Sequence, residues 1–129
     1  MTSRHALIID DNGKNLAVIA RLLEKESFEC TEVIHPGQLP PILDDLGQVD
    51  VVFLDLEMPE LDGFEVLGML RNNPDFDQTP IVAYSVHVSE ITVAHAQGFD
   101  GFIGKPLNAD RFPDQVARIL RGEGVWETA

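Results

Sequence analysis

At 129 residues the chain has the length of one ordinary domain, and 44% of it is apolar, enough to bury a core. Nine Lys and Arg stand against 22 Asp and Glu, a formal net charge of −13. So acidic a chain suits neither nucleic-acid phosphates nor anionic membrane surfaces. A single cysteine, Cys30, excludes an internal disulfide and a cysteine-based zinc cluster. No apolar run approaches the roughly 20 residues of a membrane helix. Met1 to Arg4 leads into a strand without a signal-peptide core. The expectation is a soluble single domain over residues 1–129, in a reducing compartment such as the cytoplasm.

Strand-like and helix-like stretches alternate along the chain. Ala6-Leu7-Ile8-Ile9 reads as a strand that ends at Asp10-Asp11-Asn12-Gly13. Leu16, Ile19, Ala20 and Leu23 then fall on one helix face. Phe28 to Ile34 alternates as a strand, and His35-Pro36-Gly37 breaks it. A weaker helix is expected from Gln38 to Leu46, with Pro40-Pro41 in its first turn. Val51-Val52-Phe53-Leu54 has the β-branching and length of a strand covered on both faces.

Leu61 to Arg71 reads as the third helix, Pro80 to Tyr84 as the fourth strand and Val88 to Gln97 as the fourth helix. Gly101 to Gly104 is a short fifth strand, cut off by Lys105-Pro106. Phe112, Val116, Ile119 and Leu120 mark the last helix, with Asn108 as its expected N-cap and an irregular start at Pro113. Residues 122–129 read as a short tail with no room for an output domain. Five strands and five helices in strict alternation predict an α/β fold, a doubly wound five-stranded parallel sheet with helices on both faces. Ligands of such sheets bind at the carboxyl ends of the strands.

The residues at those ends carry chemistry. Strand one ends in Asp10-Asp11, strand three in Asp55, strand four in Ser85 and strand five in Lys105. A parallel sheet projects all of them from one edge. Three carboxylates repel one another unless a hard cation such as Mg²⁺ joins them. Lysine adds a point charge for a phosphate oxygen, and the set suits phosphoryl transfer. A carboxylate can itself accept the phosphoryl group, and Asp55, ending the most buried strand, is the best placed.

With those residues in order, the sequence resembles a response-regulator receiver domain of two-component signalling, of the flavodoxin-like (βα)5 fold. The resemblance rests on Asp10-Asp11, on Asp55 with Met58-Pro59 and Asp62-Gly63, on Ser85 and on Lys105-Pro106, and runs from about His5 to Arg121. It implies that Asp55 takes a phosphoryl group from the phosphohistidine of a histidine kinase or phosphotransfer protein. It implies Mg²⁺ held by Asp11, Asp55 and the Glu57 backbone carbonyl, with Asp10 acting through a metal-bound water. Lys105 would contact the phosphoryl group, Ser85 would bond to it, and Phe102 would be the switch aromatic. The Lys105-Pro106 bond would be cis. Output would pass through the face of helix four, strand five and helix five, as a monomer or weak dimer.

Three positions depart from the commonest pattern or flank the path of hydrolytic water. Val86 is bulkier than the usual small residue, and Glu57 and His87 are expected to tune the phosphoryl lifetime. Met58-Pro59 and Asp62-Gly63 would shape the loop and start helix three. Simpler readings exist for each residue alone. Asp10 to Asn12 could cap helix one, Lys105 could be a surface lysine, Ser85 a turn residue, Phe102 core, and His87 and His95 surface histidines. Cys30 in a strand reads as inert, and Trp126 as packed on the domain. An aspartate-nucleophile phosphatase would need a second aspartate two residues after the nucleophile, where Glu57 stands. A phosphorylation-independent binding module on the same fold is the remaining alternative.

Overall fold

The computed structural model describes residues 4–35, 37, 39–59 and 62–128. The chain runs β1 (Arg4–Ile9), α1 (Gly13–Glu24), β2 (Phe28–Val33), α2 (Leu39–Leu43), β3 (Val51–Asp55) and α3 (Gly63–Arg71). A 3-10 turn (Pro74–Phe76) precedes β4 (Ile81–Ser85), α4 (Glu90–Gln97), β5 (Gly101–Gly104), α5 (Phe112–Leu120) and β6 (Val125–Glu127). The strands pair in the order β2-β1-β3-β4-β5-β6, all parallel. The order reverses between β1 and β3, which places a crevice at their carboxyl ends.

Alternation within the strands builds two cores. Leu7 and Ile9 of β1, Val52 and Leu54 of β3, Ala83 of β4 and Phe102 of β5 face one layer, packed with Leu39, Val66, Leu70 and Ala94 of α2, α3 and α4. Ala6, Ile8, Val51, Phe53, Val82, Tyr84 and Ile103 face the other, with Leu16, Ile19 and Leu23 of α1 and Phe112, Val116 and Ile119 of α5. Every residue of β3 is buried, as its unbroken apolar run requires. Burying each large aliphatic side chain contributes about 1.5–3 kcal/mol, so this double layer, rather than helix propensity, holds the short helices.

The expected boundaries shift by one to three residues. β4 extends to Ser85 and β3 to Asp55, so both site residues end their strands within the hydrogen-bonded ladder. The second helix spans only Leu39–Leu43, with its two prolines in the first turn; Gln38, its expected start, lies outside the described residues, as does Leu61 for helix three. Asn12 is the N-cap of α1, accepting from the Lys14 and Asn15 amides, which leaves Asp10 and Asp11 for the crevice. Asn108 accepts the Asp110 and Arg111 amides and so caps the turn before α5, whose own N-cap is Arg111. Pro113 sits within the first turn of α5, where a missing donor costs nothing.

The five-stranded expectation is corrected by the tail. Val125-Trp126-Glu127 forms a sixth strand on the outer edge of β5, in register Gly101↔Val125, Phe102↔Trp126 and Ile103↔Glu127. Gly101 permits this approach, because a Cβ there would lie 2.9 Å from the Val125 carbonyl oxygen. The strand is fastened on both sides. Trp126 packs against His95 of α4 in a tilted arrangement, ring centroids 4.4 Å apart. Glu127 pairs with Arg111 and Arg118, each at 2.7 Å, and accepts from Gln115 at 2.9 Å. The strand-five edge expected as part of an interaction face is therefore covered by the chain's own last strand. Trp126 is packed, as expected.

Candidate functional site

The carboxyl ends of β1, β3, β4 and β5 bring Asp10, Asp11, Asp55, Ser85 and Lys105 to one crevice. Asp55 ends β3 and is 2% exposed. Its Oδ1 accepts from Lys105 Nζ at 2.8 Å and from the Glu57 amide at 3.1 Å; Oδ2 accepts no hydrogen bond among the described residues. Asp10 is fully buried and Asp11 exposed, and a carboxylate oxygen from each of Asp10, Asp11 and Asp55 lies within 4.8 Å of the others. Three convergent hard oxygen donors beside an exposed mouth fit Mg²⁺, which keeps several waters.

Asp10 is held from two sides. Its Oδ1 accepts the Asn12 amide at 2.9 Å, and its Oδ2 accepts the Tyr84 hydroxyl at 2.6 Å. Sequence reasoning misses Tyr84 as part of the site. A lone tyrosine in an otherwise aliphatic strand, one residue before Ser85, is the available signal, since a buried phenol seeks a partner. Its ring also lies under Lys105 Nζ, 4.7 Å from the centroid. Burial and the neighbouring Asp10 carboxylate push the Tyr84 phenol well above its ordinary range, so it acts as a fixed donor.

Lys105 is the hub of charge. Beyond Asp55, its Nζ contacts Glu57 Oε2 at 3.1 Å and lies 4.0 Å from Asp10 Oδ2. Burial disfavours the ammonium, but bonds and charge from Asp55 and Glu57 outweigh it and hold its pKa above the usual value. The peptide bond from Lys105 to Pro106 is cis, as the resemblance implied.

The two acids on Lys105 differ. Burial, assisted by the Glu57 and Asp10 carboxylates, raises Asp55 to about 7 despite Lys105 and the Glu57 amide. Glu57 is also penalised by burial, yet hydrogen bonds from Ser85, Asp55, the Val86 amide and Lys105 lower it to about 2. Burial therefore favours the proton on Asp55, and the hydrogen bonds favour the charge on Glu57.

Ser85, fully buried, donates its hydroxyl toward Glu57 Oε1 and lies 3.0 Å from Glu90 Oε1. The Val86 amide donates to Glu57 Oε1 at 2.8 Å, and the His87 amide to Ser85 Oγ at 2.9 Å. The Val86 side chain is exposed, and the His87 ring stands at the rim, Nε2 3.9 Å from Glu57 Oε1. Glu90 is likewise missed by sequence reasoning; it lies on the first turn of α4, behind Ser85. Phe102 is fully buried in the core layer that includes Ala94 of α4, in register with Ala83 of β4.

The loop leaving Asp55 is fixed from α3. Asp62 caps the helix by accepting the Phe64 amide at 2.9 Å. A Cβ on Gly63 would lie 3.0 Å from the Asp55 carbonyl oxygen and 2.8 Å from Leu56 Cδ2, so glycine lets the helix start against the strand end. Cys30 lies in β2, half-buried, and burial with nearby Glu24 and Glu32 pushes its thiol up to about 11, which disfavours the thiolate.

This crevice and sheet order define a class, and sequence comparison gives the same one. Residues 6–117 match the family described as response regulator receiver domain. The chain belongs to that family. It is 31% identical over 121 residues to stress response regulator protein 1 of Scheffersomyces stipitis, covering 89% of this chain and 42% of that protein. It is 30% identical over 117 residues to the CAI-1 autoinducer sensor kinase/phosphatase CqsS of Vibrio cholerae, covering 88% of this chain and 17% of that one. The chain spans between 13% and 42% of the length of such curated relatives. In structure it is similar to the chemotaxis response regulator CheY4 of Vibrio cholerae, with a TM-score of 0.81 at 22% identity, over 92% of this chain and 99% of that one. Among the described residues no helix is long and apolar enough to cross a membrane.

Proposed function

We propose that this chain is a phosphoacceptor: Asp55 takes a phosphoryl group from a phosphohistidine, and the modified domain signals by docking a protein or passing the phosphoryl group on. The observation that carries this reading is the seat of Asp55, buried at a strand end, 2.8 Å from Lys105 and beside two further carboxylates. In the transfer an Asp55 oxygen bonds to phosphorus, the phosphorus–nitrogen bond breaks, and the donor imidazole leaves. Asp10, Asp11, Asp55 and the Glu57 carbonyl would hold Mg²⁺, which when bound offsets the charge of the carboxylates and the incoming phosphoryl oxygens.

Lys105 orients Asp55 and offers its ammonium to a phosphoryl oxygen. Ser85 provides a hydroxyl on the other side, and the burial of Phe102 follows the position of the Ser85 loop. Glu57, Val86 and His87 line the approach of water and tune how long the phosphoryl group survives. The chain catalyses only its own phosphorylation and dephosphorylation. A histidine kinase or phosphotransfer protein supplies the group, and the acidic surface favours protein over nucleic-acid partners. The cytoplasm, where such donors carry their phosphohistidines, is its place of action. Output contacts would involve α4, β6 and α5, because β6 covers β5.

Intact mass after incubation with Mg²⁺ and acetyl phosphate tests this reading. One base-labile phosphoryl adduct is expected, absent from Asp55→Asn. No adduct from acetyl phosphate or from a phosphorylated histidine phosphotransfer protein would leave the phosphorylation-independent binding module in its place.

A further inference from the structure

Three hydrogen-bond donors stand at the carboxyl ends of β4 and β5 beside Asp55: the Lys105 ammonium, 2.8 Å from Asp55 Oδ1, the Ser85 hydroxyl and the Val86 amide. All three converge on one other group, the Glu57 carboxylate. Lys105 Nζ is 3.1 Å from Oε2, and the Val86 amide is 2.8 Å from Oε1, which the Ser85 hydroxyl also reaches. Lys105 is shared with Asp55 itself, so the Glu57 carboxylate lies in the space next to the acceptor oxygens. We infer that Glu57 is a built-in stand-in for the phosphoryl group, holding in the unmodified protein the donors that a phosphoryl group on Asp55 would take. The inference rests on the phosphoacceptor reading above.

Two consequences follow from charge and geometry. A phosphoryl group on Asp55 brings about −1.5 to −2 charges and acceptor oxygens into the same space. It cannot share three donors with a second anion at hydrogen-bond distance, so Glu57 must swing out as the group arrives. Phosphorylation is then an exchange of one anion for another. The second consequence concerns the switch. Glu57 binds the Ser85 hydroxyl and the Val86 amide at the start of the β4–α4 loop, and Phe102 is fully buried. The unmodified chain thus holds its β4–α4 loop by the contacts that phosphorylation would otherwise be needed to make.

Glu90 offers Ser85 a second acceptor at 3.0 Å, so the Ser85 hydroxyl alone is a poor reporter. The Val86 amide is the better one, because Glu57 is its acceptor. The test compares wild type, Glu57→Ala and Glu57→Asp. Asp keeps the charge but is one methylene shorter, which separates occupancy of the donors from simple repulsion. Amide exchange of Val86 in the unmodified, metal-free proteins should quicken about tenfold in both variants. Beryllofluoride, a phosphoryl analogue, titrated with Mg²⁺ and read by fluorine NMR, should bind both variants about tenfold more tightly than wild type.

Unchanged Val86 exchange overturns the inference. So does beryllofluoride binding that improves in Glu57→Ala but not in Glu57→Asp, since charge alone then accounts for it. Binding to none of the three proteins overturns the phosphoacceptor reading, and the stand-in with it.

Discussion

Lys105 and Asp55, 50 residues apart in sequence, meet at 2.8 Å because β3 and β5 end on the same edge of the sheet with β4 between them. The lysine side chain is mostly buried, so this pair is little screened. Replacing Lys105 by Ala leaves two acids without their cation. A lost hydrogen bond to a charged group costs about 1.5–3 kcal/mol, which as a barrier is roughly 10- to 150-fold in rate. Phosphorylation of Lys105→Ala by acetyl phosphate should slow by that factor while the affinity for Mg²⁺ is kept or raised. A rate equal to wild type would remove Lys105 from the phosphoryl site.

Asp55 gives a pH dependence of stability in the metal-free protein. Burial first, with the Glu57 and Asp10 carboxylates, raises it from 3.8 to about 7. Between those values the folded state holds a proton that the unfolded chain has released. Stability from this group is therefore full below pH 4 and falls as pH rises toward 7. Asp55→Asn lacks the loss. The variant should gain on wild type by about 1–3 kcal/mol between pH 4 and 8, read from urea midpoints. Added Mg²⁺ should narrow the difference by stabilising wild type more. A gap that does not change with pH would show that Asp55 is ionised throughout.

Gly63 is a backbone constraint on Asp55. A Cβ there would meet the Asp55 carbonyl oxygen at 3.0 Å and Leu56 Cα at 3.3 Å, and backbone cannot rotate aside. Gly63→Ala should lower stability by about 1–3 kcal/mol, as overpacking does. It should also slow Asp55 phosphorylation, because relief requires moving the strand end. Gly68, on the same helix, is the control, since a Cβ there would meet nothing within 4 Å. Gly68→Ala should fold at least as well as wild type. Equal behaviour of the two variants would refute the constraint.

The last strand carries its own reporter, since Trp126 is the one tryptophan in the chain. Hydrogen bonds from Gln115, Arg118 and Arg111, with the charge of Arg118, outweigh burial and hold Glu127 below its ordinary range. A depressed acid stabilises the fold above its unfolded pKa and ceases to do so as pH falls through the folded value. Acidification through that folded value, below the ordinary carboxylate range, should release β6 and shift Trp126 emission to the red before global unfolding. Glu127→Gln should shift the emission at neutral pH and flatten that acid transition. An unaltered acid transition in the variant would place the sensitivity elsewhere.

Sequence by itself determined five of the six strands and which of their terminal residues share one crevice. Apolar runs of four to six residues between helical periods leave little choice of architecture, and parallel strands place every carboxyl end on one edge. Asp10, Asp11, Asp55, Ser85 and Lys105 were therefore legible as one group, since strand ends are local features and their convergence follows from topology. What stayed hidden depends on side-chain reach across long sequence separations. Tyr84 binds Asp10 across 74 positions, and Glu57 reaches Ser85 across 28. No periodicity records such pairings. β6 was hidden for a different reason: three residues between Gly124 and Thr128 are too few to alternate, and their pairing rests on the missing Cβ of Gly101 and on Arg111 and Arg118 of α5. Only the tertiary structure decided which acid faces which donor, because register and packing, not residue type, set those distances.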